Sequence, residues 1–332
     1  MNAKLILFVW LLFSPSGLQG KSYDNWIYLS KAPGWASENG GTSGGGAVQP
    51  ITVTTVEELQ IRALSPDPQT IFIQGTIGEG LHTTINIGSN KTIIGLKKSL
   101  LKGSLCIKDV RNVVIRNLTI QGPGAVDVNG PDCITINNSK NVWLDHLDIY
   151  DGQDGNLDIV NGSDYITVSW CKFHYTSASQ NHKLSSLIGN SDDKTSDRGK
   201  LKTTMIYNWW ADGVESRMPR VRFGQVHIVN NLYTSTGNDY CILAGTEADV
   251  RVEHNVFINV KEPINLSQRK FTAITVTENQ FISVKGNTSG EGKAFSPPYK
   301  VDTIPLNKLE QIIKKYAGAT IYDVKRVLPI SP

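Results

Sequence analysis

The chain has 332 residues, of which 19% are charged and 30 are glycine, and its formal net charge is only +3. So small a charge does not indicate a nucleic-acid binder, which needs a clustered basic face, though a local basic cluster could serve an acidic substrate, and a glycine-rich, charge-poor composition argues for a turn-rich β protein over a helical bundle. Length alone leaves one large unit or two small ones open, because solenoids grow by repetition.

The first element reads as an export signal over residues 1–20. Lys4 supplies the positive start, Leu5 through Phe13 the apolar run, and Ser14, Ser16, Gly17 and Gly20 the small residues behind it. The run is too short to span a membrane, which takes about 20 apolar residues. The alternative is a buried N-terminal strand. The expectation is a secreted protein whose mature part, residues 21–332, is one domain. Cys106, Cys133, Cys171 and Cys241 permit disulfides in that compartment, with buried free thiols as the equal alternative.

Thr55, Val56, Glu57 and Glu58 match a capping box ahead of Leu59 and Leu64, which predicts a short N-terminal helix. A repeated strand then dominates the chain. Units begin at Asn112 (NVVIRNLTI), Asn141 (NVWLDHLDI), Tyr165 (YITVSWCKF), Thr203 (TTMIYNWWA), Gln225 (QVHIVNNLY), Asp249 (DVRVEHNVF) and Ala273 (AITVTENQF). Starts lie about 22 to 29 residues apart, with one longer gap before Thr203, and that interval is one coil of a solenoid. Each unit alternates apolar and polar residues, the period of a strand. The pattern predicts Val114, Val142, Val226 and Val250 pointing inward at equivalent places, with Ile115 and Leu144 nearby. Asn117, Asn208, Asn231, Asn255 and Asn279 recur late in the units, and stacked side-chain amides hydrogen-bond along such an axis. A β-propeller needs about 40 residues and four strands per blade, which these units do not supply. The long stretch from Phe173 to Thr203 is polar and reads as a loop. Leu306, Leu309, Ile312, Ile313 and Tyr316 follow helical spacing up to Gly318, and this helix is expected to lie against the coils.

Three acids stand out beside the repeats: Asp145 in VWLDH, and Asp154 and Asp158 in DGNLD. Neighbouring coils are about 4.8 Å apart, so acids on successive coils can converge. Clustered carboxylates suit a hard cation such as Ca²⁺; solvated loop acids are the even alternative. Arg217, Arg220 and Arg222 crowd one segment around Pro219, whose bland reading is surface ion pairing. Lys183, in a loop, says little by itself.

The segments NVWLDHLD, DGNLDIVNGSDYITVS, HKLSSLIGNSDD and RMPRVRFGQVHIVNNLY resemble, in order, the signatures of the pectate lyase family, polysaccharide lyase family one. IGSNKTIIG and GWASENGGTSGGG upstream resemble its N-terminal part, so the likeness runs from about Gly34 to about Ile282. It implies an all-β, right-handed parallel β-helix with short capping helices, working as a monomer on polygalacturonate. By the same resemblance, Asp145, Asp154 and Asp158 are Ca²⁺ ligands, Arg217 is the base, Arg222 contacts a substrate carboxylate and Lys183 binds substrate. The family's reaction removes the C5 proton beside a uronate carboxylate and expels the C4 oxygen. Neither a nucleic acid nor a membrane is implied as partner.

Rival readings share much of this pattern. A pectin lyase would take methyl-esterified chains and lack the acid cluster. A polygalacturonase would need paired acids for hydrolysis and a histidine-bearing signature, which Asp192 and Asp193 alone do not make. A non-catalytic pectin-binding β-helix would keep the basic groove and have lost Arg217 or an acid.

Overall fold

The structure, a computed structural model, describes residues 24–80, 83–126 and 130–328. The proposed signal segment therefore lies outside the described residues. The chain winds as a parallel β-helix. Each coil lays one strand in each of three sheets, which hold ten, nine and eight strands. One coil is typical: Arg111–Arg116 joins the first sheet, Thr119–Gln121 the second and Ile134–Asn137 the third. Lys140–Asp145 then pairs parallel beside Arg111–Arg116 and starts the next coil.

The alternating pattern fills the inside with columns of like residues. In the first sheet Val113, Val142, Ile166, Thr203, Val226, Val250 and Ile274 stack in register. Beside them run Ile115, Leu144, Val168, Met205, Ile228 and Val252, all fully buried. Val114 is a correction. It pairs with Trp143 on the outward side, and it is buried only because Ala32 and Ala36 of the N-terminal segment cover it. The second sheet turns an aromatic stack inward: Phe173, Trp210, Tyr233, Phe257 and Phe281, with ring centroids 5.5, 4.7, 4.2 and 5.0 Å apart in turn. No single coil buries these faces, so each gains its apolar contacts from the coils above and below.

Asparagines form a ladder at the bend between the first and second sheets. The amide of Asn208 donates to Asn231 Oδ1 at 3.1 Å, Asn231 to Asn255 at 3.0 Å, and Asn255 to Asn279 at 2.9 Å. Asn117 is not part of it. It stands one residue earlier in the coil, in left-handed backbone at φ 53°, and its amide bonds the carbonyls of Gly95 and Ile321.

The helix Val56–Leu64 carries the full capping box at Thr55 and Glu58. It buries Leu59 and Ala63, whereas Leu64 is exposed. The helix Leu306–Tyr316 lies against the side of the coils, with Leu309, Ile312 and Ile313 packed on Tyr207, Val229, Leu232 and Val256. It flanks the solenoid and does not close its end. All four cysteines are free thiols.

Candidate active site

The third sheet positions the site. Its outward column runs Asn86, Cys106, Thr135, Asp158, Leu187, Arg220, Leu243, Asn265, one residue per coil. Strand alternation puts their neighbours inward, so Ile134, Leu157 and Val221 are buried beneath. Just ahead of four successive strands come the segments that carry the polar groups. Asp132 precedes Ile134–Asn137, Asp154 precedes Leu157–Val160, Lys183 precedes Ser186–Ile188, and Arg217 precedes Arg220–Val221. Asp154 and Lys183 each lie three residues before a paired position, because Leu157 stands opposite Ser186. The polar loop after Phe173 thus returns to the sheet and delivers Lys183 to the coil after the acids.

The structure brings Asp154, Asp158, Lys183, Arg217 and Arg222 to one face, and it adds Asp132. Tight backbone approach makes this possible: a Cβ at Gly155 would stand 2.9 Å from Asp132 Oδ1 and 3.8 Å from Asp158 Oδ1. Burial, then the charge of Asp154, push the Asp132 carboxyl up to about 7, against the pull of Thr135 and Arg217. Burial, then Asp132, raise Asp158 well above the carboxylate range, with Arg217 and Arg222 opposing. Three acids therefore repel one another in a partly desolvated place. Asp154 pairs with His182 Nε2 at 2.8 Å. Among the described residues no three acids, histidines or cysteines are already gathered to hold a metal. The donor chemistry still fits a hard cation, since all three are oxygen donors whose mutual repulsion a positive ion relieves.

The cations differ in their partners. Lys183 Nζ lies 3.0 Å from Glu215 Oε1. Arg222 is buried, its Nε donating to Asp192 Oδ1 at 2.5 Å and its Nη1 to the carbonyl of Gly189 at 2.8 Å. The Arg217 guanidinium makes no hydrogen bond or ion pair among the described residues. Its backbone is left-handed at φ 59°, an uncommon setting for a non-glycine residue. The chain is pinned there by Ser186 N–H donating to the Arg217 carbonyl at 2.6 Å and Met218 N–H donating to the Cys241 carbonyl at 2.7 Å.

Asp145 is the correction at the site. It belongs to the first sheet, fully buried. Arg116 Nη2 lies 2.7 Å from Asp145 Oδ2, Ser169 Oγ donates to Oδ1 at 2.6 Å, and His146 Nδ1 lies at 2.9 Å. Burial alone would raise its carboxyl, but His146, then Arg116, outweigh that and hold it below the usual range. Its oxygens are committed to a buried cluster away from Asp154 and Asp158. Sequence reasoning missed Asp132, whose signal was its place one coil before Gly155 and Asp158: Ile134 aligns with Leu157.

A family model described as pectate lyase matches residues 26–320. The chain belongs to the pectate lyase family. Membership makes it an enzyme, a lyase of pectate. It is 35% identical over 302 residues to a probable pectate lyase B of Aspergillus terreus, covering 87% of this chain and 86% of the relative. It is 34% identical over 298 residues to pectate lyase A of Emericella nidulans, with 87% and 86% covered. A solved pectate lyase from Bacillus sp. N165, in complex with trigalacturonate, superposes with a TM-score of 0.74 at 25% identity, covering 88% of this chain and 100% of that one. The parallel β-helix is therefore the fold of this pectate lyase and of its solved relative alike.

Proposed function

We propose that this pectate lyase is exported and cuts polygalacturonate by Ca²⁺-dependent β-elimination, with Asp132, Asp154 and Asp158 holding the ion and Arg217 acting as the base. The observation that carries the reading is that three mutually repelling carboxylates share one sheet face with Arg217, whose guanidinium makes no hydrogen bond or ion pair among the described residues and whose charge opposes the rise of Asp132 and Asp158. Bound Ca²⁺ supplies a Lewis-acid contact that withdraws charge from the substrate carboxylate and makes the C5 proton more acidic. Lys183 and Arg222 hold uronate carboxylates, and their fixed positive charge favours the charge that builds at the reacting sugar. Arg217, as the neutral guanidine, receives the C5 proton and becomes the guanidinium as the C5–C4 double bond forms and the C4–O bond breaks. Solvent protonates the departing C4 oxygen. Glu215, 3.0 Å from Lys183 Nζ, holds that ammonium in place.

The test is ultraviolet absorbance of the unsaturated product on polygalacturonate, with chelator and then with excess Ca²⁺. Loss and recovery of the signal are expected. Full activity in chelated, Ca²⁺-free enzyme would remove the ion from the reading, and reducing ends without new absorbance would mark a hydrolase.

A further inference from the structure

Arg217, Arg220 and Arg222 lie within six residues. Among the described residues only one carboxylate hydrogen-bonds to any of the three, that of Asp192. Asp192 comes from a different coil, in the loop that leaves the strand Ser186–Ile188. This is no ordinary surface pair, the kind that contributes little. Arg222 is only 8% exposed. Its backbone N–H donates to Ile188 at 2.8 Å and its Nη1 to Gly189 at 2.8 Å, so one short loop grips it at three points including Asp192. With Nε and Nη1 each holding a partner, Nη2 has none among the described residues, and the side chain keeps a small exposed fraction. The guanidinium is planar, so fixing two of its nitrogens fixes the direction of the third. Lys270 Nζ, 3.9 Å from the other Asp192 oxygen, steadies the carboxylate from outside. The Arg222 hydrogen bond holds Asp192 below the usual carboxylate range, so it stays charged. Held this way, Arg222 does not swing onto Asp158, whose charge it already feels.

We propose that Asp192 is a positioning residue that orients Arg222 so that its Nη2 meets a uronate carboxylate. This rests on the reading of Arg222 as a substrate contact. A charge-assisted bond of this type is about twice as strong as a neutral one, and what it secures is ground-state as well as transition-state binding, so its loss raises KM.

The experiment measures kcat and KM on polygalacturonate with saturating Ca²⁺ for the wild type, Asp192→Ala, Asp192→Glu, Arg222→Ala and the double alanine variant, with a thermal melt of each. Asp192→Ala should raise KM about tenfold and keep kcat within about threefold, with at most a modest fall in melting temperature as the buried Arg222 loses its carboxylate. Asp192→Glu should recover most of the loss. In the Arg222→Ala background, removing Asp192 should add nothing. An Asp192→Ala enzyme with unchanged or lower KM, or an equal penalty in the Arg222→Ala background, overturns the inference while leaving Arg222 a substrate contact. An unchanged KM in Arg222→Ala alone overturns the reading of Arg222 and this inference together.

Discussion

At the scale of single residues, Asp132 and Asp145 separate a cation-site acid from a structural one. Asp132→Asn should cut Ca²⁺ affinity by at least about tenfold, because an ionic oxygen donor is lost, while stability stays level or rises as carboxylate repulsion is relieved. Asp145→Asn should leave Ca²⁺ affinity alone and destabilise by about 3 to 5 kcal/mol, since it removes the buried charge that Arg116, His146 and Ser169 share. Calorimetric Ca²⁺ titration and thermal melts of both variants decide it; the reverse pattern would restore Asp145 to the ion. Arg217→Lys should keep the fold and KM yet lose about 10²- to 10⁴-fold in kcat, because an ammonium lacks the planar fork. Near-normal kcat there would make Arg217 a spectator. The arginine segment was legible because its three arginines lie within six residues. Asp145 misled because sequence spacing does not say which of three sheets an outward acid belongs to: it lies in the first sheet and Asp158 in the third.

At the scale of elements, strand alternation and coil length were readable, and phase was not. Val114 was expected inside because it is apolar, yet it lies outside, made dry by a segment about 80 residues away in sequence. Asn117 fails for a related reason: it supplies the left-handed bend, the position held by His146, Trp170 and Asn230 in other coils, where asparagine is tolerated for its backbone freedom. The ladder asparagines one residue later do a different job. Asn231 Oδ1 accepts the Asn208 backbone N–H at 2.8 Å, and its amide donates to Met205 and Val229 carbonyls at 2.9 and 3.1 Å. Asn231→Ala should therefore cost about 2 to 3 kcal/mol by leaving buried groups unpaired. Thermal unfolding checks this, and specific activity of the folded fraction should be unchanged. A melting temperature equal to the wild type would show the ladder to be dispensable.

At the scale of the whole molecule, the solenoid stacks four coils so that acids and bases of opposite sign face one groove, and pH acts on that arrangement twice. Asp132 holds its proton up to about 7, against 3.8 ordinarily, when no cation is present. Between those limits the native state binds more protons than the unfolded chain, so the cation-free protein loses stability as pH rises through that window. Ca²⁺ replaces the proton, so its stabilising effect should grow from pH 5 to pH 8, as melts with and without the ion would show. Catalysis should also favour alkali, with an optimum at about pH 8 to 10, because the base must be unprotonated; an acid optimum would point to a carboxylate base. The most direct measurement of the central claim is the rate of unsaturated-product formation against free Ca²⁺, for the wild type and Asp132→Asn side by side. The expected result is a wild-type rate that falls to background under chelator and returns with Ca²⁺, and a variant curve displaced to much higher Ca²⁺. Full wild-type activity under chelator, or superimposable curves for the two proteins, would contradict the account.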